Sequence, residues 1–431
     1  MPTKLLIDGG APLRGVIAVT PSKNALLPII AGTILTEGVT VLRNVPRITD
    51  IDNLLHILLA LGIKVKWQNG DLVIDTREIG APQSFPVGAA GKIRGSIFVL
   101  GAILGRFKRS AVPYPGGCAI GERPIDLHLQ AFKDLGVRVT EKNGLIECKK
   151  AATRQAQQDV YLDFPSVGAT ENVLLACALG RNRVRIHNAA REPEVVDLCN
   201  FLNACGAMIC GHGTSTITVA GVTALCGTSY TAIPDRINTG SYLLAAAACG
   251  GHVKLTNVVP AHNENLIAKL RKSGCDIRTD TNSITITREG GIRVKPLGTV
   301  HTAPWPGFPT DLQSQLATLQ AVSKGVTAVT ENLFENRFKH LAELQKLGAK
   351  VCIKNKTAIV TGVRNLVASS DERAPLELFA GDLRGGVALV IAALCARGTS
   401  VVKNAEYIYR GHAEIERDLA GVGANIIRID E

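Results

Sequence analysis

Leu135-Gly136-Val137-Arg138-Val139-Thr140-Glu141-Lys142-Asn143-Gly144 is the stretch from which the architecture of this chain can be read. A helical segment closes on leucine, a glycine follows, and an alternating strand runs into an Asn-Gly pair. Glycine ends a helix readily because it tolerates positive φ. Asn-Gly between alternating segments is the strongest short-range hairpin signal. The phrase recurs at Leu61-Gly62-Ile63, Cys205-Gly206-Ala207, Ser273-Gly274-Cys275, Leu347-Gly348-Ala349 and Val422-Gly423-Ala424, making six copies, and Asn69-Gly70 repeats the turn in the first. A period of about 70 residues exceeds that of common solenoid repeats, so each copy is a small α/β unit.

Each unit reads as an apolar helix, a strand, an amphipathic helix, the glycine, and usually a strand pair. Six units predict an α/β protein of two lobes with three units each, one spanning 23–230 and the other 1–22 plus 231–431. The opening segment holds strand-like Leu5-Leu6-Ile7 and Val16-Ile17-Ala18-Val19, which are expected to pair within the second lobe. A single open array would need polar capping repeats at its ends, and none is evident.

Composition narrows the function. The chain has 431 residues, 46% hydrophobic and 20% charged, enough for two or three cores. Met1 to Arg14 lacks a signal-peptide apolar core, and Val387 to Ala396 is too short to span a bilayer, so a cytoplasmic protein with no membrane partner is expected. Eleven cysteines show neither a CxxC pair nor Cys/His zinc spacing, so no metal site is predicted. The net charge of +11 comes without long basic runs, and aromatics are only 4%, which argues against a nucleic-acid partner.

Instead, arginines stand singly where helices begin. The first helices start near Ser22-Lys23-Asn24, Lys92-Ile93-Arg94, Ser166-Val167-Gly168, Arg236-Ile237-Asn238, Thr310-Asp311 and Asp382-Leu383-Arg384. Ser22, Thr310 and Asp382 read as caps. Lys23, Arg94, Arg236 and Arg384 do not, since cations are disfavoured at that end of a helix. Second-helix starts add Arg123-Pro124, Arg191-Glu192-Pro193, Asn336-Arg337 and Arg410-Gly411. Such convergence calls for a ligand carrying several negative charges. Asp311 is the exception, readable as an N-cap partner or as a general base. Cys118 lies in Pro115-Gly116-Gly117-Cys118-Ala119-Ile120-Gly121-Glu122-Arg123-Pro124. It is either a small apolar residue in a turn or a thiol made reactive by a nearby cation.

Taken together, Ser22 to Ala25, Pro115 to His128, Ser166 to Thr170, Asn188 to Asp197, Pro234 to Arg236, Phe308 to Asp311, Phe334 to Phe338, Asp382 to Arg384 and Arg410-Gly411 resemble the enolpyruvyl transferases. The resemblance covers essentially the whole chain. It implies a two-lobed inside-out α/β barrel with an active site in the cleft between lobes. It also implies transfer of the enolpyruvyl group of phosphoenolpyruvate to the 3-hydroxyl of UDP-N-acetylglucosamine, with no metal or organic cofactor. Under it, Lys23, Arg123 and Arg410 hold the phosphate of phosphoenolpyruvate, with Arg337 and Arg384 near its carboxylate. Arg123, Pro124, Ile125, Asp126 and Leu127 contact the uridine, while Ser166, Val167 and Gly168 receive the diphosphate. Asn24, Asp311 and the backbone near Leu333 contact the sugar nucleotide, and Arg94 orders the site. Asp311 is the candidate base and Cys118 the candidate acid or intermediate-handling group, and Cys118 is the expected target of an epoxide phosphonate such as fosfomycin.

Phe164 and Thr49 stand where some members carry basic residues, and Tyr409 and His412 flank Arg410-Gly411 where Asp and Tyr are more usual. A catalytically impaired UDP-sugar-binding paralogue is therefore an alternative. So is transfer to shikimate 3-phosphate, against which Asn24 and the Cys118 loop both count. An RNA-end-processing protein of related repeats is a third, disfavoured by the sparse basic runs and aromatics.

Overall fold

All six glycine phrases end helices in the computed structural model, which describes residues 3–81, 91, 93–117, 120–151, 156–289 and 292–430. The helices Thr49–Ala60, Asp126–Asp134, Pro193–Ala204, Glu264–Lys272, His340–Lys346 and Ile415–Ala420 each run into a glycine with positive φ and then a strand. At Gly348 (φ +87°) the N–H donates to Gln345 O at 2.9 Å, while Ala349 N–H donates to Leu344 O at 3.1 Å. This double bond satisfies carbonyls that a helix end otherwise leaves unpaired. Asn69 and Gly70 both have positive φ, as do Asn143 and Gly144, so each pair forms the hairpin turn that its sequence announced.

The chain divides into two compact units, Met1–Thr20, Ala119–Arg123 and Pro234–Glu431 in one, Pro21–Cys118 and Pro124–Ile233 in the other. Among the described residues each unit holds three small sheets. A typical sheet places Leu13–Ala18 parallel to Gly251–Thr256, which pairs antiparallel with Ser283–Arg288 and through it with Asp276–Thr279. Thr3–Gly9 lies between Gly398–Lys403 and Asn425–Asp430, antiparallel to both. Both opening strands are thus consumed by sheets formed from residues after 250.

Helices, not sheets, fill the middle of each unit. In the 21–118 and 124–233 unit, Lys23–Gly32, Ile97–Phe107 and Val167–Cys177 pack together and are buried nearly all round. A helix without a polar face belongs in a core. The sheets surround them and expose their alternate residues, as along Gln157–Tyr161. Gly101 allows one close approach: its N–H donates to Asn172 Oδ1 at 2.9 Å, and a Cβ there would lie 2.1 Å from that oxygen.

The central helices of the other unit are Arg236–Cys249, Gln313–Ala321 and Leu383–Cys395. The expected apolar run is absent from the second of these. Gln313, Ser314, Gln315, Thr318 and Gln320 are all buried. Their polar groups partly satisfy one another and their neighbours: Gln315 Nε2 donates to Ser241 Oγ at 3.2 Å, and Thr327 Oγ1 donates to Gln320 Oε1 at 2.7 Å.

Cations at the C-terminal ends of the core helices follow the dipole rule. Arg106 Nη1 donates to Ile34 O and Thr36 O at 2.8 and 2.7 Å, and Arg288 Nη2 donates to Ala248 O at 3.0 Å. The cations at the N-terminal ends of helices run against that rule.

Candidate active site

Within the unit containing Lys23, Ser22 caps helix Lys23–Gly32 by accepting from Ala25 N–H at 3.4 Å. Lys23 Nζ lies 3.2 Å from Asp50 Oδ2, and both side chains are largely buried. The pair keeps an ammonium ion at a helix N-terminus against the dipole. Asn24 beside it is half-buried. Arg94 opens a short 3-10 turn, and its Nη2 donates to Pro124 O at 3.0 Å, tying it to the segment that runs through Ile125 into helix Asp126–Asp134. Asp126 is exposed, Leu127 half-buried.

Ser166 caps Val167–Cys177 by accepting from Ala169 N–H at 3.3 Å, leaving Ser166, Val167 and Gly168 half-buried. The His128 ring packs over Gly168, where an added Cβ would lie 3.1 Å from Cε1 and 3.3 Å from Nε2. Asn172 orients that ring. Its Oδ1 accepts from Gly101 N–H, so Nδ2 is the donor, to Ile97 O and to His128 Nδ1, both at 3.0 Å. His128 Nδ1 must therefore be an acceptor, which places the proton of a neutral ring on Nε2. Burial, with a smaller contribution from Arg94, lowers its pKa to about 3 and keeps it neutral.

In the other unit Arg123 has φ +51° and lies over the Phe334 ring at 5.4 Å, and Asn336 N–H donates to Ile120 O at 3.0 Å. Asp311 sits in the 3-10 turn Thr310–Leu312, and among the described residues neither this turn nor the helix Gln313–Ala321 after it has a side-chain cap. Asp311 Oδ1 accepts from Arg337 Nη2 at 2.5 Å and its Oδ2 from Arg384 Nη2 at 3.0 Å. Both guanidiniums are buried, with 4% and 3% of their side chains exposed, against 24% for Asp311. Asp382 caps helix Leu383–Cys395 through Arg384 N–H and Gly385 N–H, both at 3.0 Å. His340 Nδ1–H donates to Arg337 O at 3.2 Å, and burial, opposed by Asp382, lowers its pKa to about 4.

Thr310 also does not cap. Its hydroxyl donates to Glu331 Oε2 at 2.8 Å. Oε1 of the same buried carboxylate accepts from Thr302 Oγ1 at 2.9 Å, Leu333 N–H at 2.8 Å and Phe334 N–H at 3.3 Å. Glu331 thereby joins the turn bearing Asp311 to the backbone at Leu333. Arg410 ends the 3-10 segment Ala405–Arg410 and is half-buried. The next residue is held by Asn238 Nδ2, which donates to Gly411 O at 3.1 Å. Tyr409 donates to Glu416 Oε2 at 2.8 Å, and His412 meets Tyr242 edge-on. Phe164 is exposed, and Thr49 opens the helix that carries Asp50.

Lys23, Arg94, the residues 124–127 and Ser166 to Gly168 thus lie in one unit, and Arg123, Asp311, Leu333, Arg337, Arg384 and Arg410 lie in the other, where Asp311 joins Arg337 and Arg384 directly. Cys118 lies outside the described residues. Sequence reading missed Asp50, Glu331 and the His128–Asn172 pair. Only His128 stood inside a recognised motif. Among the described residues no group of three or more His, Cys, Asp or Glu side chains is arranged to hold a metal ion, and no helix is long and apolar enough to cross a membrane.

Residues 7–419 match the family described as EPSP synthase (3-phosphoshikimate 1-carboxyvinyltransferase). UDP-N-acetylglucosamine 1-carboxyvinyltransferase 2 of Caldanaerobacter subterraneus subsp. tengcongensis is 45% identical over 426 residues, 99% of either chain. The protein of that name in Carboxydothermus hydrogenoformans is 44% identical over 428 residues, covering 99% of this chain and 100% of the relative. Among solved structures, the enolpyruvyl transferase NikO from Streptomyces tendae superposes with a TM-score of 0.85 at 22% identity, over 99% of both chains. EPSP synthase from Acinetobacter baumannii does so with a TM-score of 0.73 at 17% identity, over 100% of both. The two-lobed α/β fold of the enolpyruvyl transferases is thus the fold of this chain, which belongs to the EPSP synthase (3-phosphoshikimate 1-carboxyvinyltransferase) family and groups there with the UDP-N-acetylglucosamine 1-carboxyvinyltransferases.

Proposed function

We propose that this chain transfers the enolpyruvyl group of phosphoenolpyruvate to the 3-hydroxyl of UDP-N-acetylglucosamine with release of phosphate, as the first committed, cytoplasmic step of peptidoglycan precursor synthesis. Cell-wall formation, cell shape and division would depend on it. The observation that carries the reading is the buried Arg337 and Arg384 pair converging on a carboxylate. Guanidiniums recognise carboxylates through paired N–H groups, and phosphoenolpyruvate offers a carboxylate together with a phosphate.

The chemistry assigns the remaining roles. The acceptor oxygen attacks C2 of phosphoenolpyruvate as a proton is delivered to C3, forming a tetrahedral intermediate. Loss of the C3 proton with cleavage of the C2–O bond to phosphate then regenerates the double bond. Protons and electrons balance without a redox step. Asp311 takes the hydroxyl proton, and Cys118 supplies the proton at C3 or handles the intermediate. Lys23, Arg123 and Arg410 neutralise the phosphate that leaves. The sugar nucleotide uses Asn24, Arg94, Arg123 to Leu127, Ser166 to Gly168, Asp311 and Leu333, with the diphosphate on the free N–H groups of a capped helix start.

Phosphate release from phosphoenolpyruvate tests the proposal. Release with UDP-N-acetylglucosamine and none with shikimate 3-phosphate is the expected result. Release only with shikimate 3-phosphate would replace the acceptor, and release with neither would favour the non-catalytic UDP-sugar-binding reading.

A further inference from the structure

Arg337 and Arg384 both serve a carboxylate of the protein itself. Asp311 spans both guanidiniums, one oxygen on each, the bridging that a substrate carboxylate would adopt. It is also the residue proposed to remove the acceptor proton. Hydrogen bonds from the two guanidiniums engage both of the oxygens that would have to take the acceptor proton. The two arginines carry further unmet capacity. Arg337 Nε and Arg384 Nη1 are buried and have no hydrogen-bond partner among the described residues. Buried donors of that kind mark a place for another acceptor. Asp311 is the carboxylate that both guanidiniums engage directly. Asp382 accepts backbone N–H groups in capping its helix, and burial keeps His340 neutral.

We infer that Asp311 is an internal competitor for the carboxylate subsite: the carboxylate of phosphoenolpyruvate displaces it from Arg337 and Arg384, and the displacement frees Asp311 to act as the base. The inference rests on the proposed reaction for the identity of the ligand. It makes proton removal conditional on occupancy of the donor subsite, so a lone sugar nucleotide meets a base that is still engaged. At 24% exposure Asp311 is the movable partner, whereas the arginines are enclosed. The exchange is energetically modest because one carboxylate replaces another on the same donors and the released one regains solvent.

A competitor lowers apparent affinity in proportion to the fraction of protein in which the subsite is open. Removing its charge should therefore tighten binding of phosphoenolpyruvate, opposite to the effect of deleting an ordinary contact residue. Titration calorimetry on the full-length protein, without acceptor, would compare phosphoenolpyruvate with inorganic phosphate, which lacks the carboxylate. For Asp311→Asn, on the order of tenfold tighter phosphoenolpyruvate binding is expected, with phosphate changing less than about threefold. Asp311→Ala, which accepts from neither guanidinium, should behave likewise, and unchanged melting temperatures would show that both variants are folded. Equal tightening of both ligands would reveal a general charge effect and overturn the exchange. Unchanged or weaker phosphoenolpyruvate binding would overturn it as well. Wild-type protein that releases no phosphate with either acceptor would sink the enzymatic reading, while the differential binding of the two ligands would still decide whether Asp311 competes.

Discussion

Glu331 shows how much of this site depends on a residue that sequence reading passes over. It receives hydrogen bonds from two segments that the proposed reaction uses, the Thr310–Leu312 turn and the backbone at Leu333 and Phe334. Thr310→Val keeps the shape of the side chain and deletes the hydroxyl, leaving Oε2 of a buried carboxylate without that donor. An unmet buried acceptor costs about 1–3 kcal/mol, and the turn that aims Asp311 loses its anchor. Steady-state kinetics should show kcat lower by about tenfold, following the sensitivity of catalysis to small displacements, with KM for the sugar nucleotide changed less. Thr310→Ser should restore kcat, because the hydroxyl returns. Equal loss in both variants would indicate that packing of the threonine methyl, not its hydroxyl, matters. The sequence invites the wrong role for Thr310, since a threonine opening a helix is normally a cap. What overrides it is a carboxylate 21 residues away, and nothing local announces that partner. Asp50 escapes notice for the same reason, being 27 residues from Lys23.

Elements were more legible than residues because each carries its own signal. The glycine that ends a helix and the Asn-Gly that turns a hairpin act through φ, which is local, so their recurrence exposed the repeat without knowledge of packing. Two glycine substitutions separate local from tertiary requirements. At Gly348 a Cβ would meet no atom within 4 Å, and the cost of alanine is only that of a left-handed backbone, about 1–2 kcal/mol. At Gly101 it would collide with Asn172 and break the bonds that orient His128. Chemical denaturation should therefore place Gly348→Ala slightly below wild type with activity retained. Gly101→Ala should lose clearly more stability and raise KM for the sugar nucleotide, since Gly168 lies under the His128 ring. Similar losses in the two would mean that the interior yields to the methyl. The polar interior of Gln313–Ala321 was not legible in this way, because the repeat frame assigns an apolar run to that helix. Only the surrounding helices make it a core.

For the molecule as a whole, the fold followed from counting a local phrase, whereas stability depends on groups that only the folded chain brings out of water. His128 and His340 are both buried and neutral, their pKa values lowered to about 3 and about 4 chiefly by desolvation. In the unfolded chain each would titrate near 6.5. Between those limits the unfolded state binds more protons, so the contribution of each histidine is complete above about pH 6.5 and falls as the pH drops toward its folded value. At pH 5 the loss is roughly 2 kcal/mol per histidine. Glu171 acts in the opposite sense: burial, reinforced by Glu194 and Glu192, raises its pKa well above the usual carboxylate range, so its contribution is greatest in acid and is lost as the pH rises. The pH profile of the wild-type protein alone therefore mixes opposing terms, and a single-residue comparison is needed to isolate one. His128→Gln removes the titrating ring and retains an amide oxygen able to accept from Asn172 Nδ2. Urea unfolding at pH 7 should find the variant less stable than wild type, because packing over Gly168 is lost. On lowering the pH to 5 the gap between the two should narrow by about 2 kcal/mol, since only wild type has this histidine to protonate on unfolding. A gap that stays constant across that interval would mean that His128 takes up a proton as easily in the folded chain as in the unfolded one, and would remove the neutral, Nε2-protonated ring from the account of this site.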